Sequence, residues 1–144
     1  MFMDTKLKAD ISEQFVALRL LERGLNVLKP LGDRLSYDMV AECKGKFFKI
    51  QVKRAWKRRG VYIVDSRRTK TNRRRMLRQR YDMGDFDIAV VHIPDSQVIY
   101  IMPIGDFLMY KSEITFPMDG TRRQRKPLSW KFREAWDIFF AWKK

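Results

Sequence analysis

The sequence has 144 residues, a formal net charge of +14 and 45% hydrophobic residues. These values predict one globular domain over residues 1–144 and exclude disorder as a description of the whole chain. The excess of Lys and Arg favours a polyanionic partner, with nucleic acid first and an anionic membrane surface second.

The first half of the chain predicts one helix followed by four strands. Ile11, Phe15 and Leu18 recur at helical spacing within residues 4–24, and Gly24 suits the residue after the helix. The predicted strands are residues 26–30, 36–43, 46–56 and 61–65.

The second half begins with residues 66–82, which are mostly charged and predict a loop or a solvated helix. Residues 86–93 are strongly apolar, which is typical of a strand buried on both faces. The remaining predicted elements are a strand over 98–103, a short helix over 104–110, a basic loop over 116–127 and a final helix over 129–144. Four aromatic residues are expected to dock this last helix on the body: Trp130, Trp136, Phe139 and Phe140. The order predicts an α/β or α+β fold with a central mixed sheet flanked by helices.

The sequence contains no run of about 18 apolar residues, so no transmembrane helix is predicted. Its first residues lack the apolar stretch of a signal peptide. The single cysteine, Cys43, excludes an internal disulfide and indicates a reducing cytoplasmic compartment, prokaryotic or organellar. A zinc site would need both Cys43 and His92, which lie far apart in the sequence.

The hairpin over residues 37–53 carries the candidate chemistry. If Lys44-Gly45 is a two-residue turn, Asp38 lies opposite Gln51 with Cβ atoms about 5 Å apart. Lys53 follows on the same face about 6.6 Å further along. A slip of one residue would place these side chains on opposite faces.

A carboxylate, an amide and an ammonium group at one point suit metal-assisted phosphodiester hydrolysis. Asp38 and Gln51 offer oxygen ligands to Mg²⁺, and Lys53 can activate water or stabilise charge on the phosphate. The alternative interpretation is that the three residues only decorate a half-exposed sheet. Glu42 shares the Asp38 face but is about 13 Å away, too far for a shared metal.

A basic field follows this hairpin. From Lys53 to Arg80 there are thirteen Lys or Arg residues and one acid, Asp65. A second basic cluster covers residues 122–126. Because both clusters have the same sign, they predict contact with nucleic acid, either to phosphates or to guanine edges. The candidate DNA-binding residues are Lys57, Arg58, Arg59, Arg67, Arg68, Lys70, Arg73, Arg74, Arg75, Arg122, Arg123 and Arg125.

Three stretches of the chain resemble a known family: "ADISEQFVALRLLERGLNVLKPLGD", "YDMVAECKGKFFKIQVK" and "DFDIAVVHIPDSQVIYIMP". They resemble the PD-(D/E)XK nucleases, and within these the small homing endonucleases encoded by group I introns of cyanobacterial tRNA genes. The resemblance implies a restriction-endonuclease-like core and a site of Glu13, Asp38, Gln51 and Lys53. Glu13, Asp38 and Gln51 would be the metal ligands. Tyr37 replaces the motif proline and Gln51 replaces the usual acid, so a neutral amide is expected to weaken metal binding.

The same resemblance implies a site-specific, Mg²⁺-dependent endonuclease that makes double-strand breaks, with Mn²⁺ as a substitute ion. Double-stranded DNA would be its partner, and a dimer or tetramer its assembly. Three alternatives stay open at this point: a Holliday-junction resolvase of the same fold, a non-catalytic DNA-binding protein with a decayed site, and an RNA-processing nuclease.

Overall fold

The computed structural model describes residues 4–71, 76–118 and 126–141, apart from the side chains of Lys70, Thr71 and Met76. The helices are α1 (Thr5–Glu22), α2 (Ile104–Phe107), a 3₁₀ helix (Leu128–Phe132) and α3 (Asp137–Phe140). The strands are β1 (Asn26–Leu28), β2 (Met39–Cys43), β3 (Lys46–Arg54), β4 (Trp56–Arg58), β5 (Val61–Asp65), β6 (Arg67–Thr71), β7 (Met76–Arg80), β8 (Ile88–Ile93), β9 (Val98–Pro103) and β10 (Glu113–Pro117). In the part of the chain so described, no helix is long and apolar enough to cross a membrane.

A five-stranded mixed sheet forms the centre, in the order β1-β2-β3-β8-β9. The pair β3 and β8 is parallel, and the other neighbours are antiparallel. A three-stranded sheet, β10-β5-β4, and the two-stranded hairpin β6-β7 complete the strands. The predicted mixed central sheet is therefore confirmed.

Both faces of the central sheet are buried at β8 and over most of β9, whereas the second face is only half-buried at β2 and β3. The α1 helix covers one face, where Val16 and Leu20 pack on apolar side chains of β2, β3 and β8. The opposite face packs mainly against the small sheet, through residues such as Tyr62 and Phe116, and against α2. Six consecutive buried residues in β8 follow from this double cover. The predicted flanking by helices is confirmed, with α1 on one face and α2 on the other, where the small sheet supplies most of the cover.

The β2-β3 hairpin has the register that the turn residues predict. Lys44 and Gly45 form its two-residue loop with φ of 50° and 82°, and Cys43 lies opposite Lys46. Positive φ at both loop residues belongs to a type I′ turn, and glycine adopts it without strain. The local turn chemistry therefore fixes which residues of β2 lie opposite each residue of β3.

The segment predicted as a loop or solvated helix, residues 66–82, is largely the β6-β7 hairpin, so that prediction is wrong. Arg67 lies opposite Arg80 and Thr69 opposite Arg78. The strands have no alternation of apolar and polar residues, which is the usual signature of a strand. Contacts with Asp65 in β5 hold them in place instead.

The predicted final helix over 129–144 is also wrong in its length. Two short helices replace it, because Arg133 is extended and Glu134 has a positive φ of 47°. Glu134 accepts the N–H of Ile99 at 2.8 Å and forms an ion pair with Arg19. These contacts with β9 and α1 interrupt the helix. Trp136 and Phe139 are buried as predicted and Trp130 is half-buried, whereas the predicted docking of Phe140 is wrong because its side chain is exposed.

Phe139 is fully buried and meets the Phe48 ring edge-on at 5.2 Å, whereas its neighbour Phe140 is 48% exposed. We expect Phe139→Ala to lower the free energy of unfolding by about 3–5 kcal/mol, because it leaves a cavity under the sheet. The matched Phe140→Ala change should cost about 0.5 kcal/mol. Urea unfolding of both variants measures this difference, and equal losses would contradict the packing of α3.

Candidate active site

Asp38 lies where β2 separates from β3. The ladder between these strands ends at Met39 opposite Ile50, and the N–H of Asp38 donates to the Ile50 carbonyl at 2.8 Å. Its carboxylate oxygen Oδ2 accepts the N–H of Val52 at 2.8 Å. A side-chain oxygen thus takes the role of a strand carbonyl, and it fixes Asp38 beside residues 51–53.

Gln51 and Lys53 lie on the face of β3 opposite the core residues Ile50 and Val52, as their alternation predicts. The ladder stops one residue short of the predicted Asp38–Gln51 pair. The amide nitrogen of Gln51 donates to the Val52 carbonyl at 3.2 Å. Asp38 and Gln51 therefore both form a hydrogen bond with the backbone of Val52.

Glu13 reaches Asp38 from α1. The pKa of Glu13 is raised to about 7 by burial first, and then by a hydrogen bond to Asp38 and by the negative charge of Asp38. The positive charge of Lys29 opposes this rise. Two carboxyl groups joined by a hydrogen bond do not both ionise easily without a cation. The pair therefore retains a proton up to neutral pH.

The two carboxyl groups open on a polar cleft of about 200 Å³. Its lining residues are Glu13, Lys29, Pro30, Gly32, Asp33, Leu35, Tyr37 and Asp38. The loop between β1 and β2 supplies most of this wall. A small hydrated ion and an oxygen of a larger substrate fit a space of this size.

Lys53 is held in a sheltered place between β3 and the β6-β7 hairpin. Its Nζ donates to the Arg67 carbonyl at 3.0 Å and lies 4.8 Å from the centre of the Tyr81 ring. Burial lowers the pKa of Lys53 to about 8, although the charges of Asp65 and Asp38 oppose this. A substantial share of the amine is consequently neutral in mildly alkaline solution.

The donor atoms fit a hard divalent cation. Among the residues that the structure describes, no group of three or more His, Cys, Asp or Glu side chains could hold a metal ion. The site offers two carboxylates, Glu13 and Asp38, and the neutral amide of Gln51. Mg²⁺ binds proteins through one or two carboxylates and completes its shell with water and phosphate oxygens. A cation here would also relieve the repulsion that raises the pKa of Glu13.

The predicted DNA-binding residues on β4 are engaged within the chain. Lys57 forms an ion pair with Asp95 at 2.6 Å, and Arg58 pairs with Glu113. Arg59 lies in the following turn with a φ of 49°. These residues lie on the small sheet, whereas Asp38 lies on the central one.

The predicted residues on β6 lie closer to the candidate site. Arg67 supplies the carbonyl that binds Lys53, and its guanidinium pairs with Asp65 at 3.0 Å. Arg68 lies near the ring of Tyr81. Lys70 lies in β6, but its side chain is not among those that the structure describes. Also outside the described residues are Arg73, Arg74, Arg75, Arg122, Arg123 and Arg125.

Comparison with known proteins shows the family of the chain. The model of the PD-(D/E)XK endonuclease family matches residues 3–139. The chain belongs to this family. A solved structure titled as a bacterial homing endonuclease, I-Ssp6803I, is similar at 46% identity and a TM-score of 0.89, over 96% of this chain and 95% of that one. No curated protein matches the chain significantly. The predicted family resemblance and the fold class are confirmed.

Two features of this PD-(D/E)XK site were not found from the sequence. Tyr81 contacts both Lys53 and Arg68 with its ring, and Asp65 pairs with the arginines of the β6-β7 hairpin. Asp65 could have been singled out as the one acid in the basic field. A larger cleft, about 480 Å³, lies at the N-terminal end of α1 and holds none of the four predicted site residues.

The proton held by Glu13 gives a prediction about stability. The pKa of Glu13 is higher in the folded chain than its ordinary value. The stability that this carboxyl group contributes is therefore complete at acidic pH and is lost as the pH rises through about 7. Without metal, we expect the free energy of unfolding of the wild type to fall by about 1–2 kcal/mol relative to Glu13→Gln between pH 5 and pH 8. This value is reduced for screening by solvent.

Thermal unfolding at both pH values measures this effect, with Glu22→Gln at the exposed end of α1 as the control. Added Mg²⁺ should restore wild-type stability at pH 8 more than at pH 5, because the ion competes with the proton. Identical pH dependence in wild type and Glu13→Gln would show that the carboxyl pair is not coupled.

Proposed function

We propose that the chain is a site-specific homing endonuclease that hydrolyses phosphodiester bonds of double-stranded DNA with Mg²⁺. The observation that carries this proposal is the likeness to the bacterial homing endonuclease, which extends over nearly the whole chain at 46% identity. The carboxyl pair of Glu13 and Asp38 with Lys53 close to Asp38 supports it, because it matches the chemistry of a nuclease.

Glu13, Asp38 and Gln51 would hold the ion in the proposed site. Bound there, a divalent ion lowers the pKa of a water ligand and neutralises charge on the phosphate. Asp38 is the anchor of this set, because its second hydrogen bond to β3 fixes the orientation of its carboxylate. PD-(D/E)XK nucleases generally use divalent ions; Mg²⁺, with Mn²⁺ as a substitute, is the specific proposal.

Lys53 is proposed to accept the proton of the attacking water. Its lowered pKa of about 8 makes the neutral amine available near physiological pH, which is the condition that a general base requires. The hydrogen bond to the Arg67 carbonyl keeps the amine beside the candidate site.

The test selects cleaved molecules from a randomised duplex library with Mg²⁺, in parallel with EDTA and with Mn²⁺. The proposal expects a specific sequence that is cut in both strands with Mg²⁺ or Mn²⁺ and left intact with EDTA. Metal-independent binding with no cleavage of any selected target would contradict it and favour a DNA-binding protein without activity.

Further substrates separate the alternatives that share this fold. A junction resolvase would cut a four-way junction in preference to linear duplex, whatever its sequence. An RNA-processing nuclease would cut a structured RNA and leave DNA intact. The proposal expects sequence to determine cleavage more strongly than branching does.

A double-strand break requires more than one copy of this site, since each carboxyl pair serves one strand. We therefore propose a homo-oligomer, a dimer or a tetramer, on a roughly two-fold target. Sedimentation of the protein with and without the selected DNA measures this. A monomer that cuts both strands at the same rate at all protein concentrations would contradict the assembly.

The replacement of the usual acid by Gln51 gives a prediction about metal affinity. Gln51→Glu adds a negative charge to the ligand set, so we expect the Mg²⁺ concentration for half-maximal activity to fall about tenfold. Gln14→Glu adds the same charge at an exposed position of α1 and is the control. A metal titration that is unchanged in Gln51→Glu would argue that Gln51 is not a ligand.

A further inference from the structure

The β6-β7 hairpin is a two-stranded ribbon that lies beside the candidate active site. The major groove of B-DNA is about 12 Å wide and admits such a ribbon. Because opposite residues in an antiparallel pair share a face, the register divides its side chains into two sets. The two sets differ in what they contact.

One set is fastened to the body of the protein. Arg67 and Arg78 both pair with Asp65, each at 3.0 Å, and Arg80 donates to the Leu108 carbonyl. Together with Thr69, these arginines form what we call the fastened face. Their guanidinium groups are occupied in holding the ribbon, which leaves them poorly placed to read bases.

The second set, which we call the open face, contains Arg68 directly opposite Gln79. Across the described residues, no ion pair ties either side chain; Gln79 is exposed and Arg68 is half-buried. The guanidinium carbon of Arg68 lies 6.0 Å from the centre of the Tyr81 ring, and Lys53 lies against the same ring. The shared contact with Tyr81 places Arg68 near Lys53 and therefore near the candidate active site.

We infer that Arg68 and Gln79 form a base-reading pair on this open face, an inference that rests on the proposed function. The guanidinium fork of arginine matches O6 and N7 of guanine, and the amide of glutamine matches N6 and N7 of adenine. Cross-strand Cβ atoms are about 5 Å apart, while successive base pairs rise about 3.4 Å. The two side chains thus read positions that are adjacent or nearly so in each half-site.

Arg68 could instead contact a phosphate, and the choice of substitution separates the two roles. Lysine keeps the charge of arginine but loses the fork that binds guanine through two hydrogen bonds. Arg68→Lys therefore preserves a phosphate contact and weakens a guanine contact. Gln79→Glu replaces the group that favours adenine with an acceptor that favours cytosine.

The experiment selects bound sequences from a randomised duplex library with Ca²⁺, and cleaved sequences with Mg²⁺. We expect Arg68→Lys to lose guanine preference at one position of each half-site by about tenfold. Gln79→Glu should change adenine to cytosine at a nearby position. The matched controls on the fastened face, Arg78→Lys and Thr69→Glu, should weaken binding evenly and leave the preferred sequence unchanged.

The outcomes distinguish this inference from the proposed function. If the variants change the preferred sequence among the bound molecules but no molecule is cleaved with Mg²⁺, base reading is supported and the proposed nuclease activity is contradicted. Cleavage at the wild-type sequence by both variants would overturn base reading alone. Where Arg68→Lys yields no folded protein by thermal melting, Arg68→Gln replaces it, with adenine expected in place of guanine.

Discussion

Asp38→Asn is expected to reduce the rate of DNA cleavage by about 10²- to 10³-fold at saturating DNA. The asparagine can still accept the Val52 N–H, but the site loses the one ligand that is both charged and fixed to β3. The Mg²⁺ requirement should rise in the same variant. A quenched time course over a range of Mg²⁺ concentrations measures both effects.

A second aspartate provides the matched control. Asp87 accepts the N–H of Lys49 at 2.8 Å, just as Asp38 accepts that of Val52, on the same strand. Asp87→Asn removes an equal charge from an equivalent hydrogen bond and should leave the metal requirement unchanged. Equal losses of activity in the two variants would indicate that Asp38 acts only by holding β3.

The Asp38 variant has a readout besides activity. Two of the causes that raise the pKa of Glu13, after burial, come from Asp38. Without this charge the pKa of Glu13 should fall toward its ordinary value, and the loss of stability between pH 5 and pH 8 should shrink. Thermal unfolding of Asp38→Asn tests the coupling of the pair independently of DNA.

The local parts of this molecule could be predicted from the sequence. Asp4 begins α1 by accepting the N–H of Leu7 at 2.7 Å, and Gly24 with a φ of 83° follows its end. The Lys44-Gly45 turn set the register of β2 and β3, and the alternation along β3 placed Gln51 and Lys53 on one face. Each depends on a few neighbouring residues whose conformational preferences are strong.

The elements that were predicted wrongly depend on distant partners. The β6-β7 hairpin is charged on both faces, and ion pairs with Asp65 replace an apolar face. Near the C-terminus, the aromatic spacing predicts one helix. The hydrogen bond from the Ile99 N–H to Glu134 interrupts it. Neither partner can be identified from spacing along the chain.

The candidate site divides in the same way. Asp38, Gln51 and Lys53 could be brought together from the hairpin register, whereas Glu13 came only from the family resemblance. The pKa values of Glu13 and Lys53 depend on packing between elements that lie far apart in the sequence. The sequence therefore predicts which groups form the candidate site, but it cannot predict how their surroundings shift their pKa values.

Lys53→Met is expected to lower the rate of cleavage by about 10²- to 10⁴-fold, because it removes the proposed general base. In wild type the rate should rise with pH and level off above about 8, where the amine has become neutral. The variant should lose this inflection. Lys53→Arg should not restore activity, since a guanidinium group stays charged at all these pH values.

Lys49 offers the control for this experiment. It lies on the same face of β3, donates to the Gly84 carbonyl at 2.7 Å and lies 5.8 Å from the Tyr37 ring. Lys49→Met should therefore keep a rate near that of wild type. Because Lys53 is charged in a sheltered place, Lys53→Met should not lower the melting temperature, which separates lost chemistry from lost folding. Two results would instead indicate that Lys53 stabilises charge on the phosphate. The wild-type rate would fall above pH 8, and Lys53→Arg would keep an activity that Lys53→Met loses.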